Sequence, residues 1–171
     1  MSAKTTPQYL IDNAENYPDE PAISAKDKYG NWDVTSWSQF LEEVMDISKA
    51  LIANGFAKGD KLSIYSYNRK EWYAAYSAAN MCNGAAVGVY HTCSPEEVEW
   101  VVGNSDSEVV FLGNNPMDRA DPSKMCAHRP HEALGSPDSV DSVLVMDGRH
   151  LPDHPHAQRW GAVASPGQPP A

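Results

Sequence analysis

The sequence contains no apolar run long enough to cross a membrane and no apolar secretory leader after Met1. A spanning helix needs about 20 mostly apolar residues, and no window of this chain approaches that length without interruption. Cysteines are few and odd in number: Cys82, Cys93 and Cys126. This pattern is typical of a reducing compartment. We therefore expect a cytoplasmic protein, or one peripheral to an intracellular membrane, without a transmembrane segment.

Positive charge is also scarce. Lys and Arg number 13 against 23 Asp and Glu, which gives a formal net charge of -10. A field of this sign repels phosphate backbones and anionic lipid surfaces, so we expect no nucleic-acid partner. The sequence also lacks G-x-x-x-x-G-K-[ST] and G-x-G-x-x-G, the patterns whose backbone amides commonly cradle phosphates.

What is present suits a globular α/β domain. Apolar residues make up 42% of the 171, and a domain of this size buries roughly 70% of its unfolded surface. Helices are predicted to begin at Thr6, Ser36, Arg69 and Ser94, the second with a Ser36-x-x-Gln39 capping box and the fourth with a Ser94-x-x-Glu97 one. Strands are predicted at 22–25, 32–35, 61–66, 85–90 and 108–112, with a tight turn at 28–31 between the first two. This alternation predicts a partial, mainly parallel sheet with flanking helices and right-handed crossovers.

The last third has a different composition, with nine of the 13 prolines and five of the six histidines after residue 113. We interpret 118–171 as a divergent Pro/His-rich tail, mostly irregular and disordered, with one strand at 142–146. Cys126, His128 and His131, with the later histidines His150, His154 and His156, offer zinc donors. They lack paired ligand spacing, which favours histidines in a solvated tail.

Two further groups of residues are candidates for a functional role. Cys93 near His91 suggests a thiol with a base, but neighbouring side chains in an extended segment alternate in direction. Tyr90-His91-Thr92 follows a parallel strand at the end where open α/β sheets bind ligands, so it could line a substrate site in an intact enzyme. We assign no catalytic, cofactor-binding or metal-binding residue from the sequence.

Several segments in order resemble one family. They are Val34–Phe40, Lys58-Gly59-Asp60, Asn68-Arg69-Lys70-Glu71-Trp72, Gly84–Thr92 and Ser94-Pro95-Glu96-Glu97-Val98. Together, over about residues 6–113, they resemble the start of long-chain acyl-CoA synthetases, which are adenylate-forming AMP-binding enzymes. The sequence departs from that pattern at Gln39, where Glu is usual, and at Ala85, where Gly is usual. Beyond Met117 the resemblance weakens, with a faint return at 143–148.

The resemblance implies a ligase that uses ATP, Mg²⁺ and CoA to activate a fatty acid through an acyl-adenylate. The family's Ser/Thr-Gly-Thr-Thr-Gly-x-Pro-Lys loop and its Tyr-Gly-x-Thr-Glu motif do not occur in these 171 residues. We therefore interpret residues 1–117 as an N-terminal segment of the synthetase large domain, inactive alone and without a cofactor of its own. The alternative is a non-catalytic binding module or remnant that associates with the missing remainder or with a full-length homologue.

Overall fold

A computed structural model describes residues 3–26 and 29–113, together with the backbone of two short strands at 142–145 and 157–159. The elements in chain order are α1 (Thr6–Asn16), β1 (Pro21–Lys26), β2 (Trp32–Ser36), α2 (Trp37–Ala53), β3 (Lys61–Tyr65), α3 (Lys70–Met81), β4 (Ala85–Val89), α4 (Pro95–Asn104), β5 (Ser107–Leu112), β6 (Ser142–Val145) and β7 (Ala157–Arg159).

The α/β class and the predicted order of elements through residue 113 are confirmed, with ends that differ by one or two residues. The clearest shift is at α1, whose N-cap is Thr5 rather than Thr6. Gln8 explains it, because its Oε1 accepts the Thr5 backbone N–H at 2.7 Å and so fixes the first turn one residue earlier. At α2 the predicted capping box is present, with the Ser36 N–H donating to Gln39 Oε1 and the Gln39 N–H donating to Ser36 Oγ.

The sheet has five parallel strands in the order β4-β3-β5-β6-β7. The chain passes from β3 to β4 through α3 and then returns through α4 to β5 on the other side of β3. The strand predicted at 142–146 is present as β6, beside β5. By contrast, β7 lies in the stretch predicted to be irregular. Strand β7 has only three residues, and their polarity does not alternate, so the sequence pattern does not predict a strand there. The rest of the tail lies outside the described residues.

Alternate residues of the sheet face two separate layers. On one face Leu62, Ile64, Val109 and Phe111 join the main hydrophobic cluster, which also contains buried residues of α1, α2 and α3. On the other face Ser63, Tyr65, Val110 and Leu112 are also buried, and α4 contributes the buried Val98 and Val102. The connection from β3 to β4 and the connection from β4 to β5 run in opposite directions across the sheet. Because both crossovers are right-handed, α3 and α4 lie on opposite faces.

Small side chains let α3 lie close to the sheet and to α2. Its four buried residues are all alanines, each fully inaccessible: Ala74, Ala75, Ala78 and Ala79. The larger apolar volume comes from α2, where Val44, Ile47 and Leu51 are almost fully buried. Each such aliphatic side chain contributes about 1.5–3 kcal/mol on burial.

Strands β1 and β2 form a separate antiparallel pair ahead of the parallel sheet. Gly30 lies in the predicted tight turn between them with φ of 85°, a left-handed conformation that glycine adopts without steric cost. Across the pair, the Lys26 ammonium lies 5.1 Å from the Trp32 ring centroid.

Candidate active-site edge

Three neighbouring parallel strands end at one edge of the sheet, and the segments that follow them form the candidate site. Ser66–Arg69 follows β3, Tyr90–Cys93 follows β4, and Gly113 follows β5. In open α/β sheets, ligands bind outside the carboxyl ends of the strands, at the point where successive connections run in opposite directions. In this chain that point is β3, since β4 and β5 lie on its two sides. We call this region the carboxyl edge.

An aromatic stack lines the carboxyl edge. The Tyr67 and His91 rings have centroids 4.2 Å apart with an interplanar angle of 32°. The His91 ring also stacks against Tyr90, with ring centroids 5.0 Å apart and an interplanar angle of 25°. Tyr90 remains 69% exposed, so the stack ends in an aromatic surface open to solvent. Such a surface suits a flat or apolar ligand group, or another protein segment.

The backbones after β3 and β5 approach closely at Ser66 and Gly113. The Gly113 N–H donates to the Tyr65 carbonyl at 3.0 Å. A Cβ added at Gly113 would lie 2.0 Å from Ser66 Oγ and 2.6 Å from Ser66 Cβ. Both residues are buried, so the neighbouring side chain has little room to move. Glycine is therefore required at the end of β5 by packing rather than by backbone conformation.

An ion pair between a buried guanidinium and a partly buried carboxylate follows β3 at the start of α3. Arg69 Nε donates to Glu71 Oε2 at 2.7 Å, and an Arg69 terminal nitrogen donates to Glu71 Oε1 at 2.8 Å. Burial by itself would raise the pKa of Glu71, but the hydrogen bonds and charge of Arg69 outweigh it and hold that pKa below its ordinary value. The paired geometry is the bidentate arrangement that the planar guanidinium favours.

The start of α4 is fixed by local bonds. The Ser94 N–H donates to Glu97 Oε2 at 2.7 Å, and the Glu97 N–H donates to Ser94 Oγ at 3.3 Å, which is the predicted capping box. Just before it, the buried Tyr65 hydroxyl donates to the Cys93 carbonyl at 3.4 Å. The acidic residues therefore serve the helix start, where the helix dipole favours negative charge.

The structure places Tyr90 and His91 at the carboxyl edge, as predicted, and leaves Thr92 exposed. The His91 ring packs against Tyr67 and Tyr90, and no hydrogen bond among the described residues joins it to Cys93. That packing gives no support to a thiol and base pair.

Sequence reasoning missed the Tyr67 partner, the Arg69–Glu71 pair and the Ser66–Gly113 contact. Asn68-Arg69-Lys70-Glu71-Trp72 belongs to the family resemblance, but the resemblance alone gives no role to the individual residues. The sequence does contain a pattern that indicates the ion pair, because Arg69 and Glu71 are two residues apart where β3 passes into α3. The other two contacts join segments far apart in the sequence.

Within residues 3–26 and 29–113, no group of three or more His, Cys, Asp or Glu side chains is placed to hold a metal ion. The candidate zinc donors at 126–156 lie outside the described residues. In the same described part of the chain, no helix is long and apolar enough to cross a membrane.

Comparison with known proteins defines the class. A family model described as AMP-binding enzyme matches residues 10–170, and the chain belongs to that family. The match continues well past residue 117, where the recognised motifs end. Among solved structures, the N-terminal domain of FACL13 from Mycobacterium tuberculosis has a TM-score of 0.63 and 20% sequence identity. The likeness covers 85% of this chain and 34% of that one. It supports the α/β fold.

Curated relatives of this chain include proteins named as CoA ligases. A long-chain-fatty-acid–CoA ligase of Mus musculus is 26% identical over 111 residues, which are 65% of this chain and 16% of that protein. A 4-hydroxybutyrate–CoA ligase of Metallosphaera sedula is 31% identical over 109 residues, 63% of this chain and 19% of that protein. The chain is thus similar to a fatty acyl-CoA ligase segment, and it spans less than a fifth of either relative.

Proposed function

We propose that this chain is an N-terminal scaffold segment of an ATP-dependent long-chain fatty acid–CoA ligase and that it is inactive alone. The observation that carries the proposal is the carboxyl edge, where three parallel strands present the Tyr67–His91–Tyr90 stack on the side where such sheets bind ligands. The family match over residues 10–170 supports it. Relatives include ligases for a long-chain and for a short hydroxylated acid.

In a complete ligase of this kind, the fatty acid carboxylate attacks the α-phosphorus of ATP, and pyrophosphate leaves. The thiolate of CoA then attacks the acyl carbon and displaces AMP. The first step brings an anion to a polyanion, so it requires backbone amides, hydroxyls and cations directed at the phosphates. Mg²⁺ would supply part of that neutralising charge.

The residues that the structure describes at the carboxyl edge do not fit that requirement. The Ser/Thr/Gly-rich phosphate loop of the family does not occur in the sequence. At the carboxyl edge the guanidinium of Arg69 is already bound by the Glu71 carboxylate through two hydrogen bonds. A triphosphate approaching it would have to displace that carboxylate. The aromatic stack offers surface for a ligand but no charge to hold phosphate.

Carboxylate-dependent ATP–pyrophosphate exchange by the purified 171-residue chain tests the proposal. We expect no exchange above an enzyme-free blank with a long-chain fatty acid, Mg²⁺ and ATP, while a complete ligase assayed in parallel exchanges readily. Exchange that depends on the fatty acid, and that a heated sample loses, would show that the chain assembles its own adenylation site and would refute inactivity.

A second candidate function is a binding module that associates through an open sheet edge. Strand β4 favours it, because among the described residues it pairs only with β3. A backbone edge without a neighbour is a template for another strand. Co-purification with a separately produced C-terminal part of a related ligase tests this candidate, and a chain that binds no such part counts against it.

A further inference from the structure

The chain contains two Asn-Gly pairs, and each lies just after a helix. Asn54-Gly55 follows α2, and Asn83-Gly84 follows α3. In such a pair the backbone nitrogen of the second residue can attack the side-chain amide of the first. Glycine permits this attack most readily, because it has no side chain to obstruct the approach. Since the two pairs share one chemistry, the fold around each pair decides how fast it reacts.

The two helices end in the same backbone motif, but the Asn-Gly pair occupies different positions in it. The motif has one backbone bond that reaches back five residues and one that reaches back three. At α3 the Gly84 N–H makes the five-residue bond, to the Ala79 carbonyl at 2.9 Å. At α2 the Gly55 N–H makes only the three-residue bond, to the Ile52 carbonyl at 3.1 Å, and Phe56 makes the other. The attacking nitrogen at α2 can therefore be released while the five-residue bond remains.

Packing and hydrogen bonds also hold the pair after α3 in place. A Cβ added at Gly84 would lie 2.6 Å from the Asp60 carbonyl oxygen. The Asn83 carbonyl accepts the Gly59 N–H at 3.1 Å, and the Ala85 N–H donates to the Asp60 carbonyl at 2.9 Å. Ring closure requires the peptide group between Asn83 and Gly84 to rotate. These contacts on both sides of the pair oppose that rotation.

The pair after α2 has fewer restraints. Asn54 and Gly55 are both exposed, and a Cβ added at Gly55 would meet nothing within 4 Å. The Asn54 side chain is held by one hydrogen bond, from Nδ2 to the Ala50 carbonyl at 2.8 Å. Neither glycine nitrogen is free in the closed structure, so either reaction begins from a locally opened state. The end of a helix opens at a lower free-energy cost than a segment packed beside the sheet.

We propose that Asn54 is a site of spontaneous deamidation, that the fold protects Asn83 from the same reaction, and that the product weakens the end of α2. The deprotonated Gly55 nitrogen attacks Asn54 Cγ, a C–N bond forms, and the side-chain nitrogen leaves as ammonia. Water then opens the resulting succinimide at either carbonyl, which gives aspartate or isoaspartate. Water is the one co-reactant, and no atom is oxidised or reduced. The proposal is independent of the proposed function.

The product carboxylate is unfavourable where the amide was favourable. It has no N–H to donate to the Ala50 carbonyl, and its negative charge lies at the helix end where the dipole favours cations. Asn54→Asp reproduces one of the two products, and it should lower the urea midpoint of unfolding at neutral pH. The difference from the unaltered chain should shrink in acid, where a protonated carboxyl can again donate. Equal midpoints at neutral pH would overturn this part of the proposal.

Incubation of the full chain at mildly alkaline pH, followed by trypsin digestion and mass spectrometry, tests the proposed site. Cleavage after Lys49 and Lys58 gives a peptide of residues 50–58, in which Asn54 carries the one side-chain amide. A mass gain in this peptide therefore assigns the site, and fragmentation of the peptide that follows Lys70 monitors Asn83. In the folded chain we expect Asn54 to react at least about tenfold faster than Asn83. In the urea-unfolded chain the two rates should be similar.

Asn54→Gln is the matched control for the chemistry. It keeps a side-chain amide but adds a methylene, so the five-membered ring cannot form, and the peptide of residues 50–58 should gain no mass on the same timescale. Equal rates at Asn54 and Asn83 in the folded chain, whether both fast or both slow, would overturn the proposal. A rate ratio that urea leaves unchanged would also overturn it, because the fold would then not be the cause of the difference.

Discussion

Arg69 and Glu71, two residues apart at the entry to α3, bind each other through two hydrogen bonds of 2.7 and 2.8 Å. Their side chains are only 6% and 25% exposed. The guanidinium keeps its charge at any accessible pH, so its burial beside β3 depends on a charged acceptor. The pair therefore joins the carboxyl edge to the first turn of α3.

Glu71→Gln should lower the free energy of unfolding by about 1–3 kcal/mol, because it replaces the charged acceptor of two guanidinium hydrogen bonds with a neutral amide. Urea denaturation followed by circular dichroism measures the change. Asp46→Asn is the matched control, since its ion pair with Lys49 is exposed and should contribute less than about 0.5 kcal/mol. Equal losses in the two variants would contradict the importance assigned to the buried pair.

The same pair makes stability depend on pH in acid. The folded-state pKa of Glu71 lies below the ordinary value of 4.5, so the folded state binds that proton less readily than the unfolded chain. Its contribution is fully present above the ordinary pKa and is lost as pH falls through the folded pKa. Urea titrations from neutral pH into this range should show the wild type losing more stability than Glu71→Gln. Parallel curves would contradict the assignment.

Gly113→Ala should destabilise the fold strongly, by at least about 2 kcal/mol, because its Cβ would lie 2.0 Å from Ser66 Oγ in a buried site. Gly103→Ala near the end of α4 meets nothing within 4 Å and should raise stability by up to about 1 kcal/mol. Chemical denaturation compares the two. Adding Ser66→Gly should restore part of the Gly113→Ala loss, and a failure to do so would refute the steric cause.

Asp106→Gly should increase the free energy of unfolding by up to about 1 kcal/mol, because Asp106 adopts φ of 51° in the turn before β5. Asn83, in the turn before β4, has φ of 59°, so Asn83→Gly should also increase the free energy of unfolding. Part of the gain is offset by the greater freedom of glycine in the unfolded chain. Asp33→Gly in the extended strand β2 is the control and should be destabilising. A loss at Asp106 equal to that at Asp33 would contradict the prediction.

Elements that depend on neighbouring residues were well predicted. The capping boxes at Ser36 and Ser94 are formed by side chains three residues apart, so their sequence pattern already contains the interaction. The glycine turn before β2 is equally local. The alternation of strands and helices predicted parallel pairing, which is confirmed. The alternation could not predict the order β4-β3-β5, because a right-handed crossover from β3 can place the next strand on either side of β3.

The candidate site was predicted only in part for the same reason. Tyr90 and His91 follow the end of a strand, and their location at the carboxyl edge follows from parallel pairing. Tyr67 is 24 positions before His91, and their contact arises only because β3 and β4 are neighbours in the sheet. The requirement for glycine at 113 likewise depends on how closely β5 approaches β3.

The amino-acid sequence alone determined the α/β class, the helix starts and the membership in a family of adenylate-forming enzymes, since these follow from local patterns and from ordered motifs. The tertiary structure decided which strand became the open edge, which rings stack at the carboxyl edge and which charge is buried with a partner. Those outcomes depend on non-local packing, where segments distant in the chain compete for the same neighbours and the free energy of the whole sheet selects among them.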